Sequence, residues 1–228
     1  MPTFAGMTAA RFRRVTEQLR ILITGFGAFP GAPFNPTPPL VARLTRLRRP
    51  AFSDVELIGH VFPVTYQAVD RELPHLLARH RPHALLMFGL AARTPYVRIE
   101  TRARNAITTL WPDANGAYVR SGAITRGADA TNFGPHTLRL LRAARNTGID
   151  ARLSRDAGRY LCNYLCWRAL EAHRGVDGPR LAAFVHVPLL ARDAASSRKA
   201  PSDRLTLDHL VDAGEALLLQ MVALARRK

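Results

Sequence analysis

The chain is poor in cysteine and has no long apolar run, and both shortages restrict its class. Its 228 residues include only two cysteines, Cys162 and Cys166, too few for a disulfide framework. They do not form the Cys-x-x-Cys pair typical of zinc sites, so we expect no metal. No run of about 18 apolar residues occurs, and the sequence therefore predicts no membrane span. Together these features predict a cytoplasmic protein in a reducing compartment.

Acidic residues and nucleotide-binding motifs are also scarce. The sequence has 17 Asp and Glu against 33 Lys and Arg, a formal net charge of +16. Such a charge suits nucleic-acid binding. However, the arginines are scattered and no aromatic residues interleave a basic run, which favours a solvated surface and makes nucleic acid a minor alternative. No glycine-rich loop joins a strand to a helix and no P-loop is present, so we expect no nucleotide cofactor.

The chain does contain short apolar runs that alternate with amphipathic segments. Runs ending in glycine, such as 21–25 and 84–89, are typical of buried parallel strands. This alternation predicts an α/β fold whose largely parallel sheet is covered on both faces. Residues 1–19 are interpreted as a flexible extension before a single domain, 20–228. The predicted strands are 21–25, 55–64, 84–89, 97–106, 151–153 and 181–188, and the predicted helices are 40–47, 66–80, 137–146, 161–173 and 205–226.

The most informative stretch runs from Ser154 to Asn163 and is interpreted as a strand end, a turn at Gly158 and a helix start. Cys162 lies where that helix begins. The helix dipole and the unpaired backbone N–H groups there favour a thiolate, so we expect the pKa of Cys162 to be lowered. A thiol activated in this way predicts a cysteine hydrolase.

Such a nucleophile needs a base, and the base needs an orienting group. His186 is the best base among eight histidines, because it ends a buried strand that follows the helix of Cys162. Glu100 is the candidate orienting carboxylate, since a charge in an apolar strand is costly unless it is paired. The alternative for Glu100 is a surface position paired with Arg98 or Arg102, and the residues alone favour that alternative.

The loop after the first strand is unusually apolar. It contains Phe26, Phe29 and Phe34, where solvent-exposed polar residues are expected. Ligands of open α/β sheets bind at the carboxyl ends of strands, so these rings either line a pocket or cap the core beneath the loop. Both interpretations remain open from the residues alone.

Four blocks of the chain resemble the pyroglutamyl peptidase I (pyrrolidone-carboxylate peptidase) family of cysteine peptidases. They occur in the family's order and at similar spacing, from about Arg20 to the C-terminus. The blocks are 23–29 (ITGFGAF) with 35–37 (NPT), then 89–105, 157–163 (AGRYLCN) and 184–188 (FVHVP).

The resemblance implies a three-layer α/β/α sandwich, usually a homotetramer or otherwise a dimer, with no metal or organic cofactor. It implies removal of an N-terminal pyroglutamyl residue from a peptide. Cys162 would be the nucleophile, His186 the general base and then acid, and Glu100 the carboxylate that orients the imidazole.

The same resemblance assigns the substrate pocket. Phe26, Phe29 and Tyr160 would pack on the flat lactam ring, with Asn35 nearby as a polar contact. A glutamine that contacts the lactam in the family is replaced here by Leu90, whose backbone remains available.

Two further positions depart from the family. Tyr160 replaces a phenylalanine, and Leu110 stands where the family has an arginine near the cysteine. Loss of an oxyanion-stabilising group costs on the order of 10²–10³-fold in rate. Three functions therefore stay open: the peptidase, a hydrolase of the same fold acting on another small amide or N-terminal cap, and a catalytically impaired homologue that binds a small ligand or nucleic acid.

Overall fold

The computed structural model describes residues 18–29, 31, 34–127, 129–190 and 205–227. The predicted extension over 1–19 lies outside the described residues, except for its last two positions. The strands are β1 Leu19–Phe26, β2 Val55–Phe62, β3 Ala84–Leu90, β4 Val97–Glu100, β5 Arg102–Arg104, β6 Ala130–Asn132, β7 Ala151–Ser154 and β8 Leu181–Val187. The helices are α1 Thr37–Leu44, α2 Tyr66–His80, α3 His136–Arg145, α4 Leu161–His173 and α5 Leu207–Ala225, with a 3-10 turn at Pro50–Phe52.

The main sheet has the strand order β2-β1-β3-β8-β4-β7. The first four strands in this order are mutually parallel, and β4 pairs antiparallel to β8 and parallel to β7. Helices α1, α3 and α5 cover one face, whereas α2 and α4 cover the other. The predicted α/β class, the mostly parallel sheet and the three-layer α/β/α sandwich are therefore confirmed.

Alternation along the central strands divides the core between the two faces. In β1, Ile21 and Ile23 pack toward α1 and α5, whereas Leu22 packs toward α2 and α4. Strands that are buried on both faces need apolar residues at every position, which explains the uninterrupted runs in the sequence. In β4, Val97 and Ile99 join the first face. Since successive side chains alternate, Arg98 and Glu100 project to the face covered by α4.

Two predicted elements differ from the structure by more than two residues at an end. The strand expected over 97–106 is two strands, because the chain leaves the main sheet at Thr101, whose N–H and hydroxyl both donate to the Ser154 carbonyl. Beyond Thr101, β5 pairs with β6 in a separate two-stranded ribbon. Helix α1 begins at Thr37, earlier than predicted, because the first helical turn tolerates proline. In the described ranges no helix is both long enough and apolar enough for a membrane span.

Candidate active site

A glycine turn places Cys162 at the start of α4. Gly158 adopts a φ of +84°, a left-handed conformation that glycine takes without strain. Its N–H donates to Asp156 Oδ1 at 3.0 Å. Tyr160 is the N-cap residue with extended backbone, and α4 runs over Leu161–His173, as the sequence predicts. Cys162 therefore lies in the first helical turn.

Asn163 fixes this helix start against the ribbon strand β5. Its Nδ2 donates to the carbonyls of Arg104 and Ala106, each at 2.8 Å, and its Oδ1 accepts from the N–H of Arg104 at 2.9 Å. The residue pattern alone assigns no role to Asn163. The available signal was a lone amide in the apolar run LCNYLCW, because a buried polar side chain needs partners.

The sheet register brings three positions into one row beneath the thiol. Gly89 of β3 pairs with His186 of β8, and His186 pairs with Arg98 of β4. A Cβ built on Gly89 would lie 2.8 Å from Cys162 Sγ. Paired residues of neighbouring strands project to the same face, so the thiol lies over the strand next to the one that carries His186. Gly89 is thus a second position of the candidate site to which the sequence alone assigns no role.

His186 and Glu100 form a buried hydrogen-bonded pair. Nδ1 of His186 lies 2.8 Å from Oε1 of Glu100. Glu100 is fully buried, so the interpretation of Glu100 as a surface residue is wrong. Its suggested partner is nevertheless present, since Arg98 Nη2 lies 2.9 Å from the same oxygen.

The expectation of a lowered pKa for Cys162 is wrong. Burial raises the pKa of the Cys162 thiol to about 12, and the Glu100 charge adds to the shift. The Arg98 charge and backbone hydrogen bonds from Cys162 itself and Leu90 act in the opposite direction but are outweighed. Only 7% of Cys162 is exposed, so the lost hydration of a thiolate exceeds the benefit of the helix start. The free protein therefore holds a neutral thiol at neutral pH.

The predicted aromatic residues form a continuous cluster beside this helix start. Ring centroids are 5.8 Å apart for Phe26 and Phe29, and 6.2 Å apart for Phe29 and Tyr160. Phe26 is completely buried, whereas Phe34 is exposed and does not cap the core. The Tyr160 hydroxyl donates to the Pro112 carbonyl at 2.9 Å. Phe29 and Tyr160 are only partly buried, so these two rings retain surface that a flat ligand can contact.

Asn35 and Leu90 lie at the edges of the site. The Asn35 Nδ2 donates to the carbonyls of Phe26 and Gly27, at 2.9 and 2.8 Å, and its Oδ1 accepts from the N–H of Thr37 at 3.0 Å. Asn35 thus braces the aromatic loop, with both amide hydrogens engaged. Leu90 ends β3, and its backbone hydrogen bond favours a thiolate at Cys162.

Leu110 lies on the loop that follows β5 and is 78% exposed. The buried Asp113 carboxylate anchors this loop by accepting hydrogen bonds from the N–H groups of Tyr66, Asn115 and Ala117. The position for which the resemblance implies an arginine therefore carries an exposed apolar side chain. In the described part of the chain, no three His, Cys, Asp or Glu side chains converge to hold a metal ion.

A thiol at a helix start, over the strand next to a histidine that is hydrogen-bonded to a carboxylate, is an arrangement typical of a hydrolase with a cysteine nucleophile. Comparison with known proteins narrows this class. The sequence profile of the pyroglutamyl peptidase family matches residues 19–224. This protein belongs to the pyroglutamyl peptidase family.

Individual relatives agree with this assignment. The pyrrolidone-carboxylate peptidase of Deinococcus radiodurans is 32% identical over 192 residues, which are 83% of this chain and 86% of the relative. That of Pyrococcus furiosus is 30% identical over 75% of this chain and 82% of its own length. The solved pyrrolidone carboxyl peptidase of Thermococcus litoralis superposes with a TM-score of 0.80 at 25% identity, and covers 92% of this chain and 96% of its own.

Proposed function

We propose that this protein is a cysteine peptidase that removes an N-terminal pyroglutamyl residue from peptides through an acyl-enzyme on Cys162. The observation that carries the proposal is the buried His186–Glu100 pair, at 2.8 Å, whose histidine lies in the sheet row beneath the Cys162 thiol. Membership of the pyroglutamyl peptidase family supports the substrate.

The proposed chemistry follows from the protonation of these groups. With Nδ1–H donating to Glu100, the Nε2 of His186 is free to accept the thiol proton. Because the pKa of the Cys162 thiol is about 12, proton transfer accompanies attack of sulfur on the pyroglutamyl carbonyl. The imidazolium of His186 then protonates the leaving amine as the C–N bond breaks. Water, activated by His186, hydrolyses the thioester and releases pyroglutamate.

Backbone N–H groups supply the proposed oxyanion stabilisation. The backbone hydrogen bonds of Cys162 and Leu90 act on the sulfur, and the oxygen of a tetrahedral intermediate forms next to that sulfur. Backbone donors do not depend on the side chain, so Leu90 retains this function despite the missing glutamine. Catalysis in this scheme does not require a side chain at position 110.

The proposed pocket uses the aromatic cluster. Phe29 and Tyr160 pack on the lactam ring, and the fully buried Phe26 packs against Phe29. An apolar slot with few polar groups suits a small neutral ring. Asn35 contributes by fixing the loop carbonyls of Phe26 and Gly27, and its direct contact with substrate stays a prediction.

A second candidate function is hydrolysis of a different small amide or N-terminal cap by the same three residues. The replacement of the lactam-contacting glutamine by Leu90 favours it, because a leucine side chain offers no hydrogen bond. From the resemblance we further propose that the protein acts on a peptide substrate in the cytoplasm and that it forms a homo-oligomer, either a dimer or a tetramer. Light scattering after size-exclusion chromatography measures the mass of that oligomer.

The deciding experiment is hydrolysis of pyroglutamyl-aminomethylcoumarin beside its proline and alanine analogues, with Cys162→Ala as the blank. Turnover of the pyroglutamyl substrate alone, absent from the blank, is the expected result. Turnover of an analogue instead would favour the second function. No turnover of any substrate, with Cys162 still alkylated by iodoacetamide, would refute the pyroglutamyl assignment.

A further inference from the structure

An arginine lies beside the His186–Glu100 pair and takes no part in the steps above. Arg98 Nη2 is 2.9 Å from Glu100 Oε1, the oxygen that also accepts the His186 hydrogen bond. The Arg98 side chain is 19% exposed and that of Glu100 is completely buried. Since arginine stays protonated at any working pH, a permanent positive charge adjoins the carboxylate of the site.

The fold holds Arg98 in this place from two directions. Its Cα pairs with that of His186 in the sheet, two residues before Glu100 on the same face of β4. Its Nη2 also donates to Ser154 Oγ at 2.7 Å and to the carbonyl of Asp156. Ser154 and Asp156 begin the segment that leads to Cys162. The guanidinium therefore connects the His186–Glu100 pair to the segment that carries the nucleophile.

The charged groups that act on the thiol come from different elements. From β4, the Glu100 charge raises the pKa of Cys162 and the Arg98 charge lowers it. From β8, the neighbouring titratable group is His186. The remaining groups are neutral or paired: Cys166 one helical turn along α4, the Tyr160 hydroxyl bonded to Pro112, and the Asp156 carboxylate 3.4 Å from Arg104.

We propose that Arg98 is a positioning residue whose charge offsets that of Glu100, so that Cys162 can lose its proton next to a carboxylate. The buried carboxylate keeps its hydrogen bond to His186, and Arg98 cancels much of its repulsion of a thiolate. The resemblance implies an arginine at position 110, where this chain has the exposed Leu110. Arg98 supplies a positive charge to the site from β4 instead. The inference rests on the proposed function only in taking Cys162 as the nucleophile.

The test is the pH dependence of Cys162 alkylation by iodoacetamide, a neutral reagent that needs no substrate. Peptide mass spectrometry with fragmentation separates labelling of Cys162 from that of Cys166 between pH 6 and 10. We expect Arg98→Gln to slow alkylation about tenfold or more at a given pH and to move the profile to higher pH. A nearby opposite charge shifts a pKa by about 1–3 units, and each unit is about tenfold in thiolate.

Three matched variants separate charge from structure. Arg98→Lys keeps the charge, and its profile is expected to stay near that of wild type. Ser154→Ala loses one tether of Arg98 but keeps its charge, and Arg102→Gln removes a neighbouring arginine that binds only the Arg155 carbonyl in the described contacts. Neither of these two should move the profile. Arg98→Met, which keeps the apolar stem, replaces Arg98→Gln if the latter does not fold.

An unmoved profile in Arg98→Gln overturns the proposal, even if turnover falls, since lost tethers then account for the defect. Equal displacement in Arg98→Gln and Arg98→Lys also overturns it, because hydrogen-bond geometry rather than charge would be responsible. Failure of the proposed function is separable. If the alkylation profile of Arg98→Gln is displaced but wild type does not hydrolyse the pyroglutamyl substrate, the substrate is refuted and the role of Arg98 is retained. If wild type hydrolyses that substrate but the profile of Arg98→Gln is unmoved, the role of Arg98 is refuted and the substrate is retained.

Discussion

Replacing Gly89 with alanine tests whether the backbone of β3 lies directly under the thiol. The added Cβ would be 2.8 Å from Cys162 Sγ and 2.7 Å from Phe184 Cζ. Both distances are shorter than real Cβ contacts, and the Phe184 ring is completely buried, so neither neighbour can move freely. Relief of the clash requires displacement of the sulfur, the ring or the strand.

Two magnitudes follow from this clash. Overpacking a core of this kind costs about 1–3 kcal/mol of unfolding free energy. For a chain of this size that corresponds to a Tm lower by about 2–12 °C. A nucleophile misplaced by about 1 Å loses on the order of 10²-fold in rate, so kcat/KM should fall about 100-fold while the variant remains folded.

The assay combines calorimetry with pyroglutamyl-aminomethylcoumarin hydrolysis below Tm. Gly122→Ala is the matched control, because its Cβ would meet no atom within 4 Å and its φ is not in the left-handed range. We expect the control to keep wild-type activity and Tm. Wild-type kcat/KM and Tm in Gly89→Ala would refute the described approach of β3 to the thiol.

Three further predictions concern α4. Cys166→Ala should keep turnover and lose about 1 kcal/mol of stability, because Cys166 is completely buried one turn beyond Cys162; loss of turnover there would mean that the wrong thiol was chosen. Asn163→Ala should lower the free energy of unfolding, measured in urea, by about 3 kcal/mol, because it removes the hydrogen-bond partner of three backbone groups of Arg104 and Ala106. A change below about 0.5 kcal/mol would contradict this anchoring role. Burial raises the pKa of Cys162 from 9.0 to about 12, so its stabilising contribution is complete below about pH 9 and is lost as pH rises toward 12. The stability of wild type relative to Cys162→Ala should thus fall by about 1.4 kcal/mol per pH unit above pH 9, and a constant difference up to pH 10.5 would disprove it.

Local chemistry made much of the fold predictable from sequence. Helix α4 runs over the predicted residues, because a glycine turn and an apolar helical run both act over a few neighbouring positions. The strands β3 and β8 were recognisable because burial on both faces requires uninterrupted apolar residues. Proline at a helix start is equally local, yet the predicted helix 40–47 begins after Pro38 and Pro39, whereas α1 includes both in its first turn.

The candidate site was predictable as a set of residues, but not as a set of interactions. The family resemblance names Cys162, His186 and Glu100 as candidate site residues, although the residues alone favour a surface position for Glu100. Its complete burial depends on α4 and β8, which lie more than 60 residues further along the chain. Likewise, nothing near position 89 in the sequence indicates that Cys162 approaches it.

The sequence by itself determined the α/β class, most of the elements and the chemical groups available at the site, because these depend on short-range pattern and side-chain type. Tertiary structure decided which charges face one another and how far water is excluded from them. The helix start that favours a thiolate is visible in the sequence, whereas the burial that raises the pKa of Cys162 is not. Desolvation and the Arg98–Glu100 contact arise only when separate strands and a helix pack together, so the protonation state of the Cys162 thiol is a property of the folded chain.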